Sequence, residues 1–157
     1  MFKFCVLFTM LISLIQAESP GNKYENSRKL FREAMAGGAV LVQLLESKDL
    51  EVVKIDMDLV STANEKQTLK RMSTDFSYIV TAIGQPSRIE DLDIKVYFVG
   101  DGGKLILIAE DNKADNTPVV TFTPPAAGSY MISIKVASMI EGHEGESGFY
   151  FLTIAHD

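Results

Sequence analysis

Residues 91–99 read DLDIKVYFV, and residues 116–136 read NTPVVTFTPPAAGSYMISIKV. In the first, Leu92, Ile94, Val96 and Phe98 alternate with Asp91, Asp93, Lys95 and Tyr97. That period of two is the mark of a strand with one buried face. The second holds two such runs separated by Pro124-Pro125-Ala126-Ala127-Gly128, residue types that end one strand and turn the chain toward the next. Outward from these stretches the same pattern repeats. Val53, Ile55, Met57 and Leu59 alternate with Lys54, Asp56 and Asp58, and Phe76, Tyr78, Val80 and Ala82 alternate with Ser77 and Thr81. Gly100-Asp101-Gly102-Gly103 leads into KLILIAE and predicts a hairpin. Further strands are expected at 67–72, 119–123, 130–137 and 149–155. Short strands at regular spacing predict a mainly β protein, an antiparallel β-sandwich or jelly roll of about seven to eight strands.

One helix precedes them. Leu30, Phe31, Ala34, Met35, Leu41, Val42, Leu44 and Leu45 recur at spacings of three and four, with Asn26 or Ser27 as a cap. Gly37-Gly38 interrupts the run, at a cost of roughly 1 kcal/mol per glycine relative to alanine. The expectation is one kinked helix to about Ser47 or two short pieces meeting there. Residues 18–26 are polar and read as a flexible mature N-terminus.

Residues 1–17 read as a secretory signal peptide: Lys3 supplies the positive start, Phe4 to Ile15 the apolar stretch and Ala17 the cleavage point. The apolar stretch falls short of the roughly 20 residues that span a bilayer. The organisation is therefore a signal peptide at 1–17, a polar N-terminus and amphipathic helix at 18–48, and a β-sandwich domain at 49–157. The product is expected outside the cytoplasm, in the periplasm or the extracellular medium, with no integral membrane span after cleavage. Cys5, the single cysteine, lies in the signal segment. The mature chain then has no disulfide, thiolate nucleophile or thiolate metal site, and its stability rests on its core.

The formal net charge is −6, and loss of Lys3 makes it one unit more negative. Nucleic acid, which selects clustered Lys and Arg, is not an expected partner. The basic run at 66–71 is broken by Gln67, Thr68 and Leu69 and reads as a solvated strand face.

With the strands in place, residues from about 49 to 156 resemble the bacterial pre-peptidase C-terminal domain. The resemblance is carried by Asp91-Leu92-Asp93-Ile94-Lys95-Val96-Tyr97, the glycine turn at Gly100 to Gly103, the acidic loop Glu110-Asp111-Asn112, and Thr117-Pro118-Val119-Val120. Phe122-Thr123-Pro124-Pro125, Gly128-Ser129-Tyr130 and Gly148-Phe149-Tyr150-Phe151-Leu152 complete it. The 157 residues contain no recognisable peptidase domain, so a stand-alone or helix-preceded version is expected. The resemblance implies a small β-sandwich with a non-catalytic accessory or binding role, although fold analogy is a weak guide to function.

The candidate chemistry is sparse. Asp91 and Asp93 share one side of a strand and, with Asp111 and Asp115, could offer oxygens to calcium. Turn formation and solvation account for the same residues without metal. The loop at 110–116 lacks the glycine and terminal glutamate of an EF-hand. In Glu141-Gly142-His143-Glu144-Gly145-Glu146, His143 could act with a glutamate on zinc or as an acid–base pair, but no HExxH or GxSxG motif is present. Tyr97, on the face opposite Val96 and Phe98, is the best aromatic for contacting a ligand.

The favoured reading is an exported, non-enzymatic β-sandwich that binds protein or glycan in the cell envelope or outside the cell. A calcium-stabilised structural or folding-accessory protein is the alternative, and a hydrolase using His143 comes last. No cofactor is expected beyond weakly held calcium.

Overall fold

The computed structural model describes residues 20–157, with side chains from residue 26 onward. The proposed signal segment and Cys5 lie outside the described residues. Eight strands follow one helix: β1 (Glu51–Val60), β2 (Glu65–Met72), β3 (Tyr78–Gly84), β4 (Ile89–Val99), β5 (Leu105–Asp111), β6 (Val119–Phe122), β7 (Gly128–Met139) and β8 (Gly148–His156). They form two four-stranded antiparallel sheets, ordered β1-β8-β3-β6 and β2-β7-β4-β5. The expected sandwich is present, with every predicted strand in it.

The core lies between the sheets. Leu92, Ile94 and Val96 of β4 and Tyr130, Ile132, Ile134 and Val136 of β7 meet Tyr78, Val80 and Ala82 of β3 and Tyr150, Leu152 and Ile154 of β8. β4 keeps a strict alternation because its other face meets no described helix. β8 is buried almost throughout, and its sequence FYFLTIA lacks the alternation. A strand covered on both sides reads as a continuous apolar run.

The cover is helix α1 (Pro20–Glu46), which packs on β8, β3 and β1. It is already helical at Pro20, the first described residue, and so takes in polar residues that were expected to be flexible. It also runs unbroken through Gly37-Gly38. These glycines are the contact with the sheet: a Cβ on Gly38 would lie 2.3 Å from the Phe151 ring, and one on Gly37 3.1 Å from Ile83. Absence of side chains there lets the helix axis approach β8, which offsets their poor helix propensity. Ala34 and Leu45 are buried on the same helix face. A polar latch holds the helix alongside. Buried Gln85 donates to Glu33 (3.2 Å), Ser87 donates to the same carboxylate (2.6 Å), and the Gln85 side-chain oxygen accepts the Phe149 N–H (3.1 Å).

β4 and β5 form the predicted hairpin, in which Gly102 and Gly103 have φ of 68° and 80°. The Pro124–Gly128 turn carries the chain from β6 in one sheet to β7 in the other. The Tyr130 hydroxyl donates to the Ala126 carbonyl (2.7 Å) and ties the turn down.

β2 corrects the expected solvated basic face. Lys66, Thr68 and Lys70 lie on the core-facing side, level with Ile134, Ile132 and Tyr130 of β7. Lys66 bonds Asp58 (2.6 Å) and Lys70 bonds the Val53 carbonyl (3.2 Å), both across to β1. Glu65, Gln67, Leu69 and Arg71 turn outward, and Leu69 is the apolar one among them.

Candidate functional site

The outer face of the β2-β7-β4-β5 sheet is the opposite surface from the one α1 covers. Strand register aligns Leu69, Met131, Tyr97 and Leu107 in one row across all four strands. The next row toward the Gly100 turn contains Val99 beside Leu105. Leu69, Leu105 and Leu107 are 64, 46 and 47% exposed, whereas Met131 between them is buried. Tyr97 and Val99 are half-buried.

Toward the other end the face turns polar. Gln67, Ser133, Lys95 and Glu110 form the next row, followed by Glu65, Lys135 and Asp93. Ser133 donates to Glu65, and this bond, then one from Gln67, hold the Glu65 carboxyl below its ordinary value. Lys95 faces Glu110 at 3.6 Å. A tyrosine flanked by aliphatic side chains and bordered by paired charges can take an apolar or ring-bearing ligand and orient it by its polar groups.

Asp91 and Asp93 sit on β4, alternating with buried Leu92 and Ile94 as their spacing predicted. The Asp91 Oδ1 is buried without a hydrogen-bond partner. Burial, and then the neighbouring Asp93, push its carboxyl above the ordinary range. Burial likewise raises Asp93, against Lys135 and Lys95. Asp111 is used differently: it accepts the N–H groups of Val119 (3.0 Å) and Lys113 (3.1 Å). Burial works to raise its pKa, but these bonds outweigh it and the carboxyl lies below the usual value. Asp115 accepts the Thr117 N–H (2.9 Å). Asp111 and Asp115 thus shape the loop between β5 and β6, which is bonded to β4 where Leu92 N–H meets the Asp115 carbonyl (2.9 Å). Among the described residues no three His, Asp or Glu side chains are grouped to hold a metal ion.

His143 lies in the exposed β7–β8 loop, its Nδ1 3.0 Å from a Glu146 oxygen that Arg88 also binds. This trio pins the loop to the β3–β4 turn, where Ile140 N–H also bonds the Arg88 carbonyl (2.9 Å). His156 stacks on Phe76 with ring centroids 4.1 Å apart. Sequence reasoning selected Tyr97 but missed Leu69, Leu105 and Leu107. The signal was available in KLILIAE, whose unbroken apolar run lies on the arm of a hairpin.

No protein-family model matches this chain, and no curated protein does either. Solved structures do. PliG of Aeromonas hydrophila, a periplasmic inhibitor of g-type lysozyme, aligns with a TM-score of 0.50 at 12% identity, covering 70% of this chain and 90% of its own. The Yersinia pseudotuberculosis-derived mitogen aligns with a TM-score of 0.46 at 12% identity, over 64% of this chain and 82% of its own. The family 32 carbohydrate-binding module of C. perfringens NanJ, solved with galactose, gives a TM-score of 0.36 at 10% identity, over 67% of this chain and 98% of its own. At these identities the likeness concerns the fold: the chain is a β-sandwich, and the narrower pre-peptidase C-terminal resemblance is left without a matching family model.

Proposed function

We propose that this protein is an exported, non-enzymatic binding module that takes a protein or glycan partner on the outer face of the β2-β7-β4-β5 sheet. The observation that carries the reading is the row Leu69–Met131–Tyr97–Leu107, an apolar strip on a sheet face that no described helix covers. Exposed apolar side chains gathered in one place on a soluble domain mark a contact surface. The polar rows beside it supply the orienting groups, and buried Met131 gives the strip a fixed floor. β-Sandwiches that bind protein or glycan share this fold, which supports the class of function. Export is supported by the apolar start of the chain, and among the described residues no helix is long and apolar enough to cross a membrane.

The test is binding by calorimetry to g-type lysozyme and to a panel of glycans, with the parent, Tyr97→Ala and Leu69→Lys. Binding by the parent that both variants lose supports the site. Equal binding by all three proteins places the contact elsewhere and refutes it.

A further inference from the structure

β5 is the end strand of its sheet, and three successive aliphatic residues on it, Leu105, Ile106 and Leu107, are 46, 44 and 47% exposed. Residues 105–109 carry no charge. Soluble proteins normally blunt such an edge, because its free backbone groups pair with any strand that arrives. The other three edges here are blunted. β2 carries Lys66, Lys70 and Arg71, β6 is four residues long between Pro118 and Pro124, and β1 sets Asp56 and Asp58 beside the core. β5 has only a bulge at Ile108, between the Val96 and Tyr97 pairings, which leaves 105–107 regular.

The hydrogen-bond phase of this edge can be read from the hairpin. Gly100 N–H donates to the Lys104 carbonyl (2.8 Å), so Gly100 and Lys104 are a bonded pair. Along an antiparallel ladder bonded and non-bonded pairs alternate, which makes Phe98 and Ile106 the next bonded pair. The N–H and C=O of Leu105 and Leu107 therefore point to the open side.

We propose that the partner of this edge is a second copy of the same chain, paired β5 to β5 and antiparallel across a two-fold axis at Ile106. In that register Leu105 exchanges both backbone bonds with Leu107 of the second copy, and Leu107 with its Leu105. Ile106 meets its own counterpart as a non-bonded pair, and every side chain in the contact is aliphatic on both faces. The charges agree with the direction. Lys104 precedes the neutral run and Glu110 follows it, so antiparallel pairing sets the positive end of each strand toward the negative end of the other. Parallel pairing would align like charges. The result is one continuous eight-stranded sheet whose two Tyr97 faces lie side by side. This inference does not depend on the ligand reading, since the edge exists whether or not the face binds anything.

Sedimentation equilibrium of the full chain over a range of concentrations tests it. A monomer–dimer equilibrium is expected, and Ile106→Glu, which opposes two carboxylates at the axis, weakens association by on the order of tenfold or more. Leu69→Glu, on the far edge of the sheet, leaves it unchanged. In a Cys5→Ala background, Ile106→Cys forms an interchain disulfide, because opposed residues of a non-bonded pair have Cα atoms about 4.5 Å apart. Leu69→Cys does not. A parent chain that stays monomeric at every concentration overturns the proposal, as does a dimer that survives Ile106→Glu. Failure of Ile106→Cys to crosslink in a chain that does dimerise also overturns it.

Discussion

Replacing Gly38 by alanine should destabilise this protein, although alanine is the better helix former. The new Cβ would lie 2.3, 2.5 and 2.5 Å from the Cδ2, Cε2 and Cγ atoms of Phe151. Carbon atoms in contact sit about 3.5–4.0 Å apart, so the ring or the helix has to retreat by more than an ångström, roughly. Phe151 is 6% exposed and belongs to a central strand, so its ring has nowhere to swing. Overpacking of this kind costs about 1–3 kcal/mol. The gain in helix propensity returns about 1 kcal/mol. The net loss is up to about 2 kcal/mol, which in a chain of this length lowers Tm by up to about 8 °C. Gly37→Ala provides the contrast. Its Cβ would meet only the tip of Ile83, at 3.1 Å, so the propensity term wins and stability rises by about 0.5–1 kcal/mol. Urea and thermal unfolding of both variants, with Phe151→Leu added to Gly38→Ala, measure the signs and the coupling. A Gly38→Ala protein as stable as Gly37→Ala would refute the docking of α1 on β8.

Gln85→Ala removes the acceptor of the half-buried Phe149 N–H and the donor to Glu33, and should cost about 1–3 kcal/mol in urea unfolding. A loss within error would show that the latch is replaced by water. Asp91→Asn should stabilise the fold at pH 7. The folded-state carboxyl is raised, so folding favours its protonated form, and that stability is lost as pH rises through the folded value. The advantage of asparagine should therefore vanish below the unfolded value of about 3.9. Melts from acid to neutral pH check this, and an Asn variant that is less stable only when calcium is present would instead identify Asp91 as a ligand. Asp111→Asn should behave in the opposite sense. Its folded carboxyl is lowered, so its contribution is present above the unfolded value and fades as pH falls through the folded one. The difference between parent and variant should be largest near neutrality, and a constant difference at all pH values would count against the role of the charge.

The strands were legible because a half-buried strand must alternate, and the runs 91–98 and 132–136 do so without interruption. The helix was legible from its period, but its glycines were misread. Propensity treats Gly37-Gly38 as a weakness, and only the position of Phe151 shows that at Gly38 the missing Cβ is the packing surface. β2 was misread for a related reason. Lys66 and Lys70 look solvated in sequence, yet the pairing with β7 turns them toward β1 and turns Leu69 out. The candidate face was half visible. Tyr97 followed from strand parity, whereas its row needed the register of three neighbouring strands, which no local pattern encodes.

Local periodicity and turn chemistry by themselves determined that this chain is a β-sandwich with a leading helix, because those signals depend on residues close together in sequence. Which sheet the helix covers, which face is left open, and which edge is unprotected were decided by tertiary structure alone. Those properties depend on contacts between strands far apart along the chain. The runs 91–99 and 116–136 specify the core, and the pairing of β4 with β5 and β7 turns their outward residues into a surface.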